Sequence, residues 1–391
     1  MKPDGSKQSS FSAANNPMGS ASITKNIVSA LNSLELSDTV IGIEATGVYG
    51  DNLMMYLRED TSLGHFNRKF HVLNSKQVKK FKDVHPDLPK NDPVDAFVIA
   101  DNLRFGRITK EIYMDDYRYK ALQNLTRARF FAVQNLTREK QRFANYLFMK
   151  FSALAQDKVF SDNTGATSMA LLEDFDTIDQ LAYMDIDKLA DFIAEKGRNH
   201  FPDPHAVAMA VQAAAKASYK LPKPLNDSIN QVLSVSIANI RALKEPIKTL
   251  DKAIEKQLAL IPNTLTSIKG IGLVYASGII AEIADINRFD NHAALAKYAG
   301  LVWNDNKSGK FTAELTPLVN SGNRYLRYYL IEATDSLRKY DSEFRRFYDL
   351  KFNEVNRFQH KRALALTARK FVRLVFRLLK DNRLYIPPEE H

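Results

Sequence analysis

Apolar residues follow two different periods along this chain. Near the N-terminus short apolar runs, Val40–Glu44 with Ile41-Gly42-Ile43 at its centre and Phe70-His71-Val72-Leu73, read as buried strands. Ser20–Leu34 and Gly50–Glu59 carry helical spacing, Lys76–Lys82 is a short basic segment, and Val84–Asn91 is a Pro-punctuated loop. A further helix runs from Asp92 to about Arg104. Strands interleaved with helices predict an α/β region.

Beyond it the period becomes helical over long distances. From Met114 to about Ala155, Leu122, Leu125, Phe131, Val133, Leu136, Phe143 and Leu147 approximate one stripe. Leu225–Leu260 carries a second, from Ile229 through Ile240 to Ile254, and Pro246 predicts a kink or a division there. Two such helices about 70 residues apart predict an antiparallel coiled-coil arm or a dimerisation element. Ser161–Lys220 between them reads as short helices rich in Ala and Asp, without evident chemistry: a helical insertion at the tip of the arm.

After Pro262 the pattern changes again. Ser267-Ile268-Lys269-Gly270-Ile271-Gly272 precedes the apolar run Leu273–Ile283, a helix-hairpin-helix pattern. Glycines there let backbone N–H groups approach a nucleic-acid phosphate at a helix N-terminus, although Gly-x-Gly also marks plain helix–helix turns. Lys297–Trp303 and the polar Asn304–Lys310 follow, then Ser321-Gly322 and the helix start Asn323-Arg324-Tyr325-Leu326-Arg327. Ser308 and Ser321 both stand in Ser-Gly pairs, which suit a turn or the presentation of a hydroxyl nucleophile. Arg338–Arg383 reads as two basic helices whose aromatics, from Phe344 to Phe376, mostly face a core.

Charge sharpens this picture. The net charge is +10, and Asn320–Leu384 holds 16 Lys or Arg against 7 Asp or Glu, so the excess is concentrated near the C-terminus. Clustered positive charge is the footprint of a polyanion, here nucleic acid rather than a membrane surface. With 391 residues, 45% hydrophobic, the chain can bury two or three cores. Without cysteine it has neither disulfides nor thiolate metal sites, which fits a reducing cytoplasm. No apolar run has the length of a membrane span, and Met1–Ser9 is too polar for a signal peptide.

The candidate chemistry lies in carboxylates. Asp92 reads as a helix N-cap with Pro93 at the first helical position, which sets Asp92 and Asp95 on one face. Glu44 leaves the tip of the first strand. Three carboxylates from a strand end and a helix start can share a hard cation such as Mg²⁺. Asp-Pro-x-Asp is equally a plain helix start in which acids favour the dipole, and the residues alone leave both readings open.

Together these pieces resemble the DEDD transposases of bacterial insertion sequences, which include the Piv-type DNA invertases. The matching residues are Ile43–Tyr49, Lys90–Ala96 with Ile99-Ala100, Ile268–Gly272, Tyr298–Leu301, Lys307-Ser308-Gly309 and Gly322–Arg327, in the family's order. The resemblance implies an RNase H/RuvC-like domain over residues 1–110, a coiled-coil arm with its insertion over 111–262, and a helical C-terminal domain with the helix-hairpin-helix over 263–391. It implies Mg²⁺ on four acids, of which Glu44, Asp92 and Asp95 match the second to fourth. It implies Ser308 as nucleophile, with Lys269, Gly270, Gly272, Arg324 and Arg327 toward nucleic acid. DNA, a guide RNA and further copies of the chain, as dimer or tetramer, are the implied partners. The family's first acid, on its first strand, has no match before Ile41, and Met1–Ser6 looks like the turn after that strand. The expectation is a domain lacking its first strand and an incomplete acidic site, with Asp4 a poor substitute.

Three functions compete on these residues: a serine transposase or recombinase, a nuclease of the Holliday-junction type using water, and a remnant that binds nucleic acid without cutting it.

Overall fold

In the computed structural model, which describes residues 1–45, 47–84, 88–89, 91–106, 116–303, 307–308, 311–312, 318–319 and 321–387, the chain divides into two units. The first comprises Met1–Tyr117 with Asp285–Asp290. Its first helix, α1 (Pro17–Ser33), starts where the Asn16 side chain accepts from the Gly19 N–H and Pro17 fills a position needing no donor. Strand β1 (Asp38–Glu44), helix α2 (Asp51–Glu59), strand β2 (Asn67–Leu73), and helices α3 (Ser75–Lys82) and α4 (Asp92–Arg104) follow.

β1 and β2 pair in parallel, Asp38 with Asn67 through Glu44 with Leu73. Alternation along the strands divides the apolar residues between two faces. Ile41, Ile43, Phe70 and Val72 pack with Met54, Leu57, Leu63 and Ile23, against α1 and α2. Leu73 packs with Val78, Val98, Ile99 and Leu103, against α3 and α4. Gly42 lies on this second face, and a Cβ there would stand 2.3 Å from Leu103 Cδ1, so glycine lets α4 approach the strand. Among the described residues β1 has β2 as its one partner, and Val40 is half exposed. The mixed α/β architecture agrees with the sequence pattern, and the basic segment Lys76–Lys82 forms α3.

The second unit comprises Arg118–Ala284 and Asn291–His391. Two long helices frame it: α5 (Tyr117–Lys150) and, after α6 (Ser152–Gln156), α7 (Ala166–Asp174), α8 (Ile178–Ala182), α9 (Ile186–Lys196) and α10 (Pro204–Ala217), α11 (Lys223–Leu258). They run antiparallel. Arg118 donates to the Leu260 carbonyl at 2.9 Å, Arg129 pairs with Asp251, and Ser236 donates to Glu139 at 2.5 Å. The expected single helix to Ala155 instead breaks at Phe151, which is extended away from helical geometry and fully buried. Pro246 does not divide α11, which continues through it as one element. The short helices pack at the far ends of the pair, where Phe143, Leu147, Ile229, Leu233 and Ile237 join Leu154, Leu171, Leu189, Ile193 and Val211.

The near ends carry the C-terminal helices α12 (Leu273–Ile283), α13 (His292–Ala299), α14 (Arg324–Leu337), α15 (Ser342–Asn353) and α16 (Gln359–Asp381). Between α13 and α14 lie two short antiparallel strands, β3 (Lys307–Ser308) and β4 (Phe311–Thr312). Tyr329 is the pivot of the packing: its ring is buried against Gly278, and its hydroxyl donates to the Thr126 carbonyl at 2.8 Å. Phe344, Tyr348 and Phe371 are core residues as expected, whereas Phe358 is 80% exposed in a left-handed turn before α16.

Candidate functional site

In the first unit the acids are positioned as follows. Glu44 ends β1 on the face that α3 and α4 cover, since it shares the parity of Gly42. α4 is capped by Asn91, not by Asp92: the Asn91 side chain accepts from the Val94 N–H at 3.0 Å. Asparagine has the extended backbone that a cap needs, and Asp92 moves to the first helical position with Pro93 second. Asp92 and Asp95 therefore stand in the first turn, where the helix dipole favours carboxylates. Asp95 accepts a salt bridge from Lys82 of α3 at 2.6 Å, and the same ammonium donates to the Pro89 carbonyl at 3.2 Å. Three carboxylates are hard oxygen donors and suit Mg²⁺ chemically. Among the described residues, though, no three acids or histidines converge as a metal cluster. Thr46 and Lys90 of the matching motifs lie outside the described residues. Asp4 closes a turn by accepting from the Ser6 N–H at 2.7 Å, and its hydrogen bonds to Ser6 hold its carboxyl below the usual range.

In the second unit the serine segment is a hairpin seen from its base. Asn323 N–H donates to the Tyr298 carbonyl at 2.7 Å, Val319 N–H to the Val302 carbonyl at 2.8 Å, and Trp303 bridges Leu318 antiparallel. Further out Lys307 pairs with Thr312 and Ser308 with Phe311. Ser308 thus stands at the far end of two antiparallel limbs and is described by its backbone alone; residues 304–306, 309 and 310 of the expected loop lie outside the described residues. Ser321 sits at the base instead, exposed. The limbs close on two glycines with positive φ, Gly300 at +72° and Gly322 at +108°. A Cβ on Gly322 would fall 2.6 Å from the Gly300 nitrogen, so side chains at this crossing are excluded.

Beneath the base lies a buried ionic cluster that sequence reading missed. Glu282 of α12 is fully buried, and Arg127 of α5 grips it with two hydrogen bonds of 2.7 and 2.8 Å. Gln123 donates to it at 3.3 Å and Asn323 at 2.6 Å. Asn323 also caps α14, accepting from the Tyr325 and Leu326 N–H groups. Burial opposes the charge on Arg127, but Glu282 outweighs it and holds the guanidinium above the usual arginine range. One carboxylate in the otherwise apolar Leu273–Ile283 run was the available signal; its partner is too distant in sequence for any local pattern.

The residues expected to meet nucleic acid divide into two groups. Gly270, at φ +92°, turns the chain into α12, clamped by Ser336, whose hydroxyl donates to the Gly270 carbonyl at 2.7 Å. Lys269 is exposed above the Tyr340 ring, and exposed Gly272 begins α12 without a side-chain cap, after a 3-10 turn at Leu265–Ser267. Of the arginines, Arg324 is exposed, while Arg327 turns toward the Ala299 and Ser321 carbonyls at 3.5 Å.

A transposase family model of the DEDD, IS110 type matches residues 1–151. The model described as the transposase IS116/IS110/IS902 family matches residues 263–349, which contain the hairpin together with Glu282 and Asn323 of the buried cluster. An uncharacterized 44.8 kDa protein of insertion element IS116 from Streptomyces clavuligerus is 24% identical over 320 residues, covering 79% of this chain and 76% of the relative. An uncharacterized 43.6 kDa protein of insertion element IS110 from Streptomyces coelicolor is 27% identical over 165 residues, 41% of this chain and 40% of the relative.

Proposed function

Since the chain belongs to the DEDD-type insertion-sequence transposases of the IS110/IS116 family, we propose that it cuts and rejoins DNA strands with Ser308 as the nucleophile. The observation that carries this reading is the hairpin, which holds Ser308 at its far end on a base fixed by glycines and a buried ion pair. In the proposed step the serine oxygen attacks a backbone phosphorus and the deoxyribose oxygen leaves with a proton. A phosphoserine link forms in place of the broken phosphodiester, so rejoining needs no outside energy. Glu44, Asp92 and Asp95 are the residues that would hold Mg²⁺, which when bound polarises phosphoryl oxygens and offsets their charge. Asp95 would then exchange its Lys82 partner.

DNA is the substrate that the family implies, the element's ends and a target. A guide RNA, cytoplasmic location and an assembly in which the acids of one copy meet the serine of another belong to the same proposal. The exposed Lys269 and the Gly270–Gly272 turn would contact backbone phosphates in the helix-hairpin-helix manner. A second reading, binding without cleavage, is favoured by one observation: the acids do not form a three-ligand cluster among the described residues.

The test incubates the full chain with Mg²⁺, the element's ends and its flanking RNA, and follows strand exchange for Ser308→Ala, Ser321→Ala and Asp95→Asn. Loss with Ser308→Ala and Asp95→Asn, but retention with Ser321→Ala, is expected. Cleavage that survives Ser308→Ala would move the reading to a nuclease using water. Salt-sensitive binding with no cleavage in any divalent metal would favour the second reading.

A further inference from the structure

On α5 and α14, aromatic rings gather around Arg324, and those rings have had no role so far. Phe130 meets the Tyr325 and Tyr328 rings edge-on at centroid distances of 5.2 and 4.8 Å, and Phe131 meets Tyr325 at 6.0 Å. The Phe131 ring is nevertheless 46% exposed. Arg324, also exposed, sits 5.8 Å from the Phe131 centroid and 4.8 Å from that of Tyr325, and donates to the Tyr325 hydroxyl at 2.9 Å. Arg127 lies 4.6 Å from the other ring contact of the cluster, Tyr325, while its charge is satisfied by Glu282. The outcome is a rigid aromatic ledge with a planar cation at its edge, anchored to the base of the hairpin through Asn323.

Two facts argue against a core or a protein-docking role. From Tyr117 to Arg138, α5 carries five Lys or Arg and no Asp or Glu. The exposed residues at helical spacing around the ring are Asn124, Ala128, Gln134, Asn135 and Arg138, polar, small or cationic rather than apolar. An exposed aromatic flanked by polar, small and cationic residues, beside the exposed Arg324, complements a polyanion that carries its own flat rings. That is the chemistry of single-stranded nucleic acid, whose bases stack on aromatic faces and on guanidinium planes while the phosphates meet the cations. A duplex keeps its bases paired and stacked internally and offers no such face.

We propose that Phe131, Tyr325 and Arg324 form a stacking site for one unpaired nucleobase, so that a single-stranded segment is held beside the base of the Ser308 hairpin. This rests on the reading of the chain as a nucleic-acid enzyme but names a contact that reading does not require. A DNA strand opened at an element end and a loop of a guide RNA present the same chemistry.

The test measures binding of the full-length protein to three fluorescein-labelled probes of equal length at one ionic strength: oligo-deoxythymidine, oligo-uridine and a blunt DNA duplex. Wild type is compared with Phe131→Ala, Phe131→Leu and Phe131→Trp. Truncation to Ala or Leu is expected to weaken single-strand binding about tenfold, Trp to retain it, and duplex binding to stay unchanged in all three. A greater loss for oligo-uridine assigns the site to RNA, and a greater loss for oligo-deoxythymidine assigns it to opened DNA. Because Phe131 is half exposed, unchanged thermal unfolding of the variants serves as the folding control, and Arg324→Ala supplies a second, independent loss. Equal weakening of duplex and single strands, retention by Phe131→Leu, or a changed oligomeric state with unchanged oligonucleotide binding would each overturn the stacking site. Wild type that binds none of the probes at low salt would overturn the functional reading as well.

Discussion

At the scale of single residues, Glu282 and Lys150 are ionisable side chains held in buried positions. Glu282 is fully buried and its nearest charge, Arg127, is about one-third exposed, so removing the carboxylate strands a guanidinium in a partly dry site. Glu282→Ala is expected to lower the unfolding free energy by about 3 kcal/mol. Urea denaturation checks this, and a change below about 0.5 kcal/mol would show that the cluster contributes nothing net. Lys150 is 3% exposed, and its ammonium donates to the Phe175 carbonyl at 2.9 Å. Burial pulls its pKa down to about 8 from 10.5. The native state therefore releases this proton before the unfolded chain does, and unfolded chains bind more protons between those values. Stability should accordingly rise with pH from about 8 to 10.5 by about 3 kcal/mol from this group, and the rise should vanish in Lys150→Met. The difference between the two proteins' stability–pH curves isolates it. Neither residue was legible beforehand: a lysine in a helical stripe reads as solvated, and its burial follows from Phe151 breaking the helix one residue later.

At the scale of elements, periodicity was a good guide where one face met one core. β1, β2 and α4 lie in the stretches where alternation and the helix-start signal mark them, α4 with its cap one residue earlier than expected, and the two long helices occupy close to their expected spans. Asn91 takes the cap from Asp92, its extended backbone letting the amide oxygen accept from the Val94 N–H. Phe358 leaves the core because it must adopt φ +53° before α16. Pro246 was expected to kink or divide α11; the helix continues through it undivided, absorbing one missing hydrogen bond. Pro246→Ala is thus expected to raise stability by about 1–3 kcal/mol, read as an upward shift of the thermal midpoint. A drop would show that the local bend fits α11 to its neighbours.

At the scale of the whole molecule, the motifs were legible as an ordered series but their assembly was not. Glu44, Asp92 and Asp95 fall within one unit and Ser308 within the other, and each unit builds its own support for the residues it carries. Sequence order gave no hint of the Glu282, Arg127 and Asn323 cluster that grips the hairpin, because its members come from three helices. Among the described residues no helix is long and apolar enough to cross a membrane. The central claim is that this hairpin delivers a nucleophile, and the most direct measurement is where DNA becomes attached. The protein is mixed with Mg²⁺, flanking RNA and a labelled element end, trapped in denaturant, digested with protease, and the DNA-linked peptide identified by mass spectrometry. The account predicts a phosphodiester on the peptide containing Ser308, absent in Ser308→Ala and unchanged in Ser321→Ala. Attachment at Ser321 or at any other residue, or strand exchange with no attached peptide, would contradict it.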